Sequence, residues 1–419
     1  MSASTFTLIF LILLGLNLGL KLWLDLRQIN HVRGHRDRVP PQFAQKIGLA
    51  AHQKAADYTV AKTRLGMLDE VIGAVVALAF TLGGGFAWLY ALASQFSGSP
   101  LLRDLALMFG YGLIAGLISL PLSIYSTFGV EARFGFNKMT WSLWLLDLVK
   151  GLALGVALGL PLAAVILWLM QSAGSLWWLY AWLAWCAFQL LMLVLYPTVI
   201  APLFNKFTPL EEGAVKARIE ALLARCGFQS RGLYVMDGSK RSSHGNAYFT
   251  GFGAAKRIVF FDTLLKSLEP AEVEAVLAHE LGHFKLKHIV KRIAWTFAAS
   301  LAMLWLLSVL MAEPWFYAGL GIPLGSGEQS NGLALLLFAL VVPLAIFPLS
   351  PLLSAYSRKH EFEADSYAAR QASAGDLAHS LVKMYEDNAA TLTPDPLHSA
   401  FYDSHPPAAV RIARLQAAG

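Results

Sequence analysis

Apolar residues in this chain fall into long unbroken runs, not into the alternation of a half-buried strand or the single stripe of a surface helix. Runs at about 5–26, 68–95, 103–126, 145–170, 175–203, 289–312 and 331–354 each approach or exceed the length a helix needs to cross a bilayer. The pattern predicts seven membrane spans. Lys21 lies near the end of the first, where its long side chain reaches the interface. That run is read as an anchor and not as a cleaved signal peptide, because the residues before it carry no basic leader.

The polar segments set the orientation. Residues 27–66 carry Arg27, Arg33, Arg36, Arg38, Lys46, Lys54, Lys62 and Arg64, and further basic residues lie in 204–288 and in the tail from Arg358. Connections at about 96–102, 171–175 and 313–330 contain no Lys or Arg. Positive residues mark the cytoplasmic side, so the N-terminus is expected outside and the C-terminus inside. The reading divides the chain into residues 1–203 (spans one to five, with the basic loop 27–66), 204–288 (a cytoplasmic catalytic segment), 289–356 (spans six and seven) and 357–419 (a cytoplasmic tail). Within 204–288 the pattern predicts a helix over 210–226, strands over 232–236, 246–250 and 257–261, and a helix opening at Ser267-Leu-Glu269-Pro270. The tail reads as short helices around Thr393-Pro-Asp-Pro396. The two cytoplasmic segments are expected to close on each other at the membrane face. The fold class is an α-helical integral membrane protein with a cytoplasmic α+β unit.

Composition agrees, with 56% hydrophobic residues and 14% charged against the soluble average of about 25%. The net charge of +6 comes from residues that flank spans without interleaved aromatics, so it reads as topology and not as a nucleic-acid surface. The two cysteines, Cys186 and Cys226, offer neither a disulfide framework nor a thiolate metal site. Any metal must use histidine and carboxylate.

Those ligands gather around His279-Glu280-Leu-Gly-His283. On a helix, residues four apart share a face, so His279 and His283 present two imidazoles to one tetrahedral metal, with zinc the default. Glu280 projects beside them, where a carboxylate deprotonates an attacking water. A third ligand is sought in Ser357-Arg-Lys-His-Glu361-Phe-Glu-Ala-Asp365: Glu361 is the best candidate, and Asp365, one turn on, can serve as the partner of a metal-bound histidine. Glu363 is read as facing away, and His288 and His360 as non-ligands. Asn246, Ala247, Tyr248 and Phe249, followed by a turn at Gly251-Phe-Gly253, read as an edge strand able to take an extended peptide, a paired core strand being the alternative. His405 and Arg411 in Ser404-His405-Pro-Pro-Ala-Ala-Val-Arg411 could donate to an oxyanion or to the peptide, with a structural His-Pro turn and a surface arginine as the plainer reading.

Taken together, these motifs resemble the type I CAAX prenyl proteases, integral-membrane zinc proteases. Further matches are His31-Val-Arg-Gly-His35, Glu131 with Phe134-Gly-Phe-Asn-Lys138, Pro202-Leu-Phe-Asn-Lys206, Asp237-Gly-Ser-Lys-Arg-Ser242, Phe261-Asp-Thr-Leu-Leu265 and Asp395-Pro-Leu. The resemblance implies seven helices forming a barrel-like chamber, a zincin-type catalytic unit and one Zn2+ per chain. It implies His279, His283 and Glu361 as ligands, Glu280 as base, Asp365 as supporting partner, and His405 and Arg411 as contacts to substrate or transition state. The implied reaction is hydrolysis near the C-terminus of prenylated proteins. Partners are then a peptide or protein substrate and membrane lipid, with no nucleic acid. The chain departs from the family pattern at Phe401-Tyr-Asp403 and at His398, both in the substrate-contact region. Two rivals stand beside this reading: a quality-control protease indifferent to prenylation, and a seven-span receptor or transporter, against which the seventh span offers no lysine. A bacterial inner membrane is expected, with the endoplasmic reticulum as the alternative.

Overall fold

The computed structural model describes residues 1–96, 98–250, 257–322 and 329–418. Among these, six helices are long and apolar enough to cross a membrane, and a bent pair makes a seventh span. Helices α1 (Ala3–Gly34) and α2 (Leu49–Phe80) have 32 residues each, about 48 Å at 1.5 Å per residue, so both outreach a hydrocarbon core of about 30 Å. Much of the basic segment 27–66 is therefore the paired end of two membrane helices and not a free loop. Ile29 and Val32 of α1 are buried with Ala56 and Val60 of α2.

The run at 68–95 is not one straight span. It is α2 followed by α3 (Gly85–Phe96), bent by 59°. The break falls at Gly83-Gly84-Gly85: Gly84 has φ +78°, and a Cβ on Gly83 would stand 2.6 Å from the carbonyl oxygen of Ala79. Only glycine lets the chain turn back so closely on the helix it leaves.

The other spans are α4 (Pro100–Ile124), prolonged by a π-helical segment at Tyr125–Glu131; α5 (Trp141–Leu154) and α6 (Leu160–Ser172), joined by a π-helical turn; and α7 (Trp177–Leu195). A sheet and two helices follow: β1 (Phe207–Pro209), α8 (Ala214–Arg225), β2 (Leu233–Met236), β3 (Ala247–Thr250), β4 (Arg257–Phe261) and α9 (Pro270–Lys285). Then come α10 (His288–Leu310), α11 (Asn331–Ile346), α12 (Ser350–Gln371), α13 (Ala374–Asp387), α14 (Pro396–Tyr402) and α15 (Ala408–Ala418). The sheet order is β1-β2-β4-β3, with β2 and β4 parallel and the outer pairs antiparallel. The short β1 was not anticipated, its few residues and Pro209 giving no period-two signal. The turn expected at Gly251-Phe-Gly253 lies outside the described residues.

The membrane helices contact one another in a closed cycle, α1 to α2, α4, α6, α7, α10, α11 and back to α1. Two cores sit at its opposite ends. At one end Phe10, Phe86, Leu107, Leu167, Leu307, Phe316 and Leu333 pack together. At the other end Ile219, Phe260, Val273, Leu277 and Leu281 join Leu377, Leu381 and Ile412. Leu117, Leu152 and Leu190 on the spans between them are exposed, as expected of helices built to meet lipid. The helices form a barrel-like chamber, packed shut at one end and closed at the other by the α+β unit.

Candidate metal centre

Helix α9 is held hard in place. Glu269, not Ser267, forms its N-cap: the Glu269 N–H donates to Glu272 Oε2 at 2.8 Å, Pro270 takes the first helical position, and Lys383 pairs with Glu272 from α13. Salt bridges from Arg218 and Arg225 to Glu274 fix α9 against α8. Its other face meets α12 across Gly282, where a Cβ would stand 3.0 Å from Ala364 Cα and 3.1 Å from the Ala364 carbonyl oxygen. The glycine inside the histidine motif is thus what lets the seventh span's extension lie against it. The two segments separated in sequence by spans six and seven meet along this contact.

That contact brings His279, His283 and Glu361 together. The Nε2 atoms of the histidines are 3.2 Å apart, His279 Nε2 is 3.4 Å from Glu361 Oε2, and His283 Nε2 is 3.3 Å from Glu361 Oε1. A tetrahedral zinc with ligand bonds of about 2.05 Å has donor-to-donor edges of about 3.3 Å. The His279–His283 separation matches it, and each histidine stands at that distance from one of the two Glu361 carboxylate oxygens. Glu361 Oε2 is buried with no hydrogen-bond partner among the described residues, which is costly unless a cation compensates it. Burial by itself lowers the pKa of His279, but the Asp365 and Glu361 carboxylates outweigh it and raise the value to about 9. The donor set and its charge fit a divalent cation.

Each histidine turns its Nδ1 outward to a different support. His279 Nδ1 lies 2.8 Å from Asp365 Oδ1, and Asp365 accepts from Arg411 through Nε at 2.9 Å and Nη2 at 2.5 Å. His283 Nδ1 lies 3.0 Å from His288 Nδ1, and His288 Nε2 lies 2.9 Å from Glu363 Oε2.

The structure adds to three expectations. Arg411 is 6% exposed and its guanidinium is engaged by Asp365, so it is not the surface arginine of the plainer reading. Glu363 does not face away unpartnered: it meets His288. His288, set aside as a non-ligand, touches His283 directly; its one signal in the sequence was a histidine just past the end of the helix that carries the motif.

Glu280 is half-buried, with no ion pair or hydrogen bond among the described residues, as a base awaiting a water would be. His405 is exposed, with Nε2 3.5 Å from Glu361 Oε1, and borders a cleft of about 280 Å³ with Gln28, Tyr385 and Ser404. Strand β3, holding Ala247, Tyr248 and Phe249 with Asn246 just before it, pairs only with β4 among the described strands, at the edge of the sheet, and contacts α9.

Comparison with known proteins assigns the family. The profile described as peptidase family M48 matches residues 209–418, and that described as CAAX prenyl protease N-terminal, five membrane helices, matches residues 28–206. A CAAX prenyl protease 1 homolog of Oryza sativa subsp. japonica is 33% identical, covering 94% of this chain and 93% of that protein. The chain belongs to peptidase family M48. CAAX prenyl protease 1 of Saccharomyces cerevisiae is also 33% identical, over 90% of this chain and 88% of that protein, and the human homolog is 32% identical. The crystal structure of S. mikatae Ste24p superposes with a TM-score of 0.91 at 32% identity, covering 98% of each chain. The chain is accordingly an integral membrane metalloprotease acting on a peptide or protein substrate, and the receptor or transporter reading is set aside. The relatives named are eukaryotic and lend the bacterial assignment no support.

Proposed function

We propose that this chain is a zinc endopeptidase that cleaves near the C-terminus of prenylated proteins. The observation that supports it most is the triangle of side chains made by His279, His283 and Glu361, each pair bringing donor atoms to 3.2–3.4 Å. These three would hold one zinc ion per chain. Zinc bound there supplies Lewis acidity, polarising the scissile carbonyl and easing deprotonation of water. Glu280 takes the proton from the attacking water and delivers it to the leaving amine. His405, on the open side of the triangle, donates to the oxygen on which negative charge develops. Asp365 orients His279, and Arg411 orients Asp365. An extended substrate adds to the outer edge of β3 along Asn246, Ala247, Tyr248 and Phe249, recognised through its backbone.

The substrate class rests on the relatives, which are CAAX prenyl proteases matched over nearly the whole chain. The catalytic unit combines residues 204–288 with 357–419, carried by spans one to five (1–203) and six to seven (289–356). Its active face and the C-terminus lie on the cytoplasmic side and the N-terminus outside, since the connections at the opposite face lack Lys and Arg.

The test is metal content of the detergent-purified chain with cleavage of a farnesylated CAAX peptide and its unprenylated twin. One zinc per chain, cleavage of the farnesylated peptide alone and no cleavage by Glu280→Gln, which should still hold zinc, is the expected result. Equal cleavage of both peptides would assign the chain to quality control, independent of the prenyl group. Turnover by Glu280→Gln would remove Glu280 from the reaction.

A further inference from the structure

An imidazole that binds a metal through Nε2 keeps its proton on Nδ1, and that proton needs an acceptor. For His283 the atom facing Nδ1 is Nδ1 of His288, at 3.0 Å. To accept there, His288 must carry its own proton on Nε2, and Nε2 faces Glu363 Oε2 at 2.9 Å. The protons have one consistent arrangement, running outward from His283 and ending on a carboxylate.

Backbone and packing hold this chain in register. Lys287, between α9 and α10, is left-handed at φ 58°, a conformation that a residue with a Cβ adopts only under constraint. It turns the chain so that His288, the first residue of α10, folds back onto the last turn of α9. His288 is 4% exposed, and its ring stacks on His360 with centroids 4.0 Å apart and planes 10° from parallel.

His288, His360 and Glu363 also bring donor atoms within 4.8 Å of one another, the make-up of a second cation site. The stacking argues against it. A metal lies in the plane of each imidazole that binds it, and two nearly parallel stacked planes share no point within bonding distance. His360 is a platform for His288, not its co-ligand.

We propose that His288 and Glu363 are positioning residues for the metal centre, a relay that holds His283 in its metal-binding tautomer and orientation. This rests on the reading of His279, His283 and Glu361 as ligands. The test uses the full-length chain in detergent, stripped of metal, with zinc affinity measured against a chromophoric chelator and the visible spectrum of the cobalt(II)-loaded form recorded. His288→Phe keeps the ring volume but cannot accept a hydrogen bond; it should weaken zinc binding about 10- to 100-fold and shift the cobalt bands. His288→Asn restores an acceptor oxygen near the Nδ1 position and should recover affinity to within about threefold. Unchanged affinity in His288→Phe, or equal losses in both variants, would overturn the relay while leaving the three ligands standing. A second zinc in the wild-type chain, lost in His288→Phe, would overturn it in favour of a cation site. A wild-type chain that takes up no zinc would remove the ligand reading and the relay with it.

Discussion

The two histidines of the metal centre sit one helical turn apart on one face, yet they are braced in different ways. His279 leans on a carboxylate, Asp365, that is buried and locked by a buried arginine. His283 leans on a second histidine, and the carboxylate comes only after it, on the more exposed Glu363. Both arrangements give Nδ1 an acceptor. They differ in how much fixed charge lies behind the ring, and a buried ion pair loses far more than an exposed one when a partner is removed. The His279 side should therefore fail by unfolding and the His283 side by loosening.

The largest expected effect is at Asp365. Asp365→Ala strands the charge of Arg411 and deprives His279 Nδ1 of its acceptor, and should cost about 3–5 kcal/mol of stability together with about 100-fold in zinc affinity. Thermal unfolding in detergent beside chelator competition measures both; a variant with wild-type melting would show the pair to be dispensable. Gly282→Ala follows, forcing a methyl against the Ala364 backbone at 3.0 Å, with an expected loss of about 1–3 kcal/mol and displacement of Glu361. Unchanged melting and unchanged zinc affinity would mean that α12 shifts freely. Glu363→Ala should be smallest, about three- to tenfold in zinc affinity with melting unchanged, because its carboxylate is one step further out. A loss as large as that of Asp365→Ala would erase the contrast between the two sides.

Proton release sharpens the same comparison. Metal-free His279, with its pKa near 9, carries an extra proton at pH 7 that zinc must displace. The sign follows: zinc uptake releases a proton below about pH 9, and apparent affinity rises by up to about tenfold per pH unit until it levels there. Calorimetry in buffers of different ionisation enthalpy counts the proton. No release at pH 7 would mean that Asp365 and Glu361 do not hold His279 protonated.

Much of this molecule could be read in order along the chain. Long apolar runs have one physical outcome, since a backbone in lipid must satisfy its own hydrogen bonds, and so the helical membrane fold followed from residue types alone. The spacing of His279 and His283 did the same for two donors on one helix face, because 3.6 residues per turn is a local property. Among the described strands β3 lies at the sheet edge, the first of the two readings that Asn246–Phe249 left open. The bend between α2 and α3 was legible in principle at Gly83-Gly84-Gly85 but hidden inside an apolar run.

What lay beyond the sequence were relations between segments distant along it. That Arg411 pairs with Asp365, and that Glu363 reaches His288, depends on how α15, α12 and α10 pack around α9. No periodicity encodes the direction in which a side chain leaves a helix relative to a partner 46 or 75 residues away. The close approach at Gly282, the turn at left-handed Lys287 and the burial of Arg411 decide it, and each is a property of packed surfaces in three dimensions. Residue types and local spacing determined which atoms could bind a metal; tertiary packing decided which others hold them still.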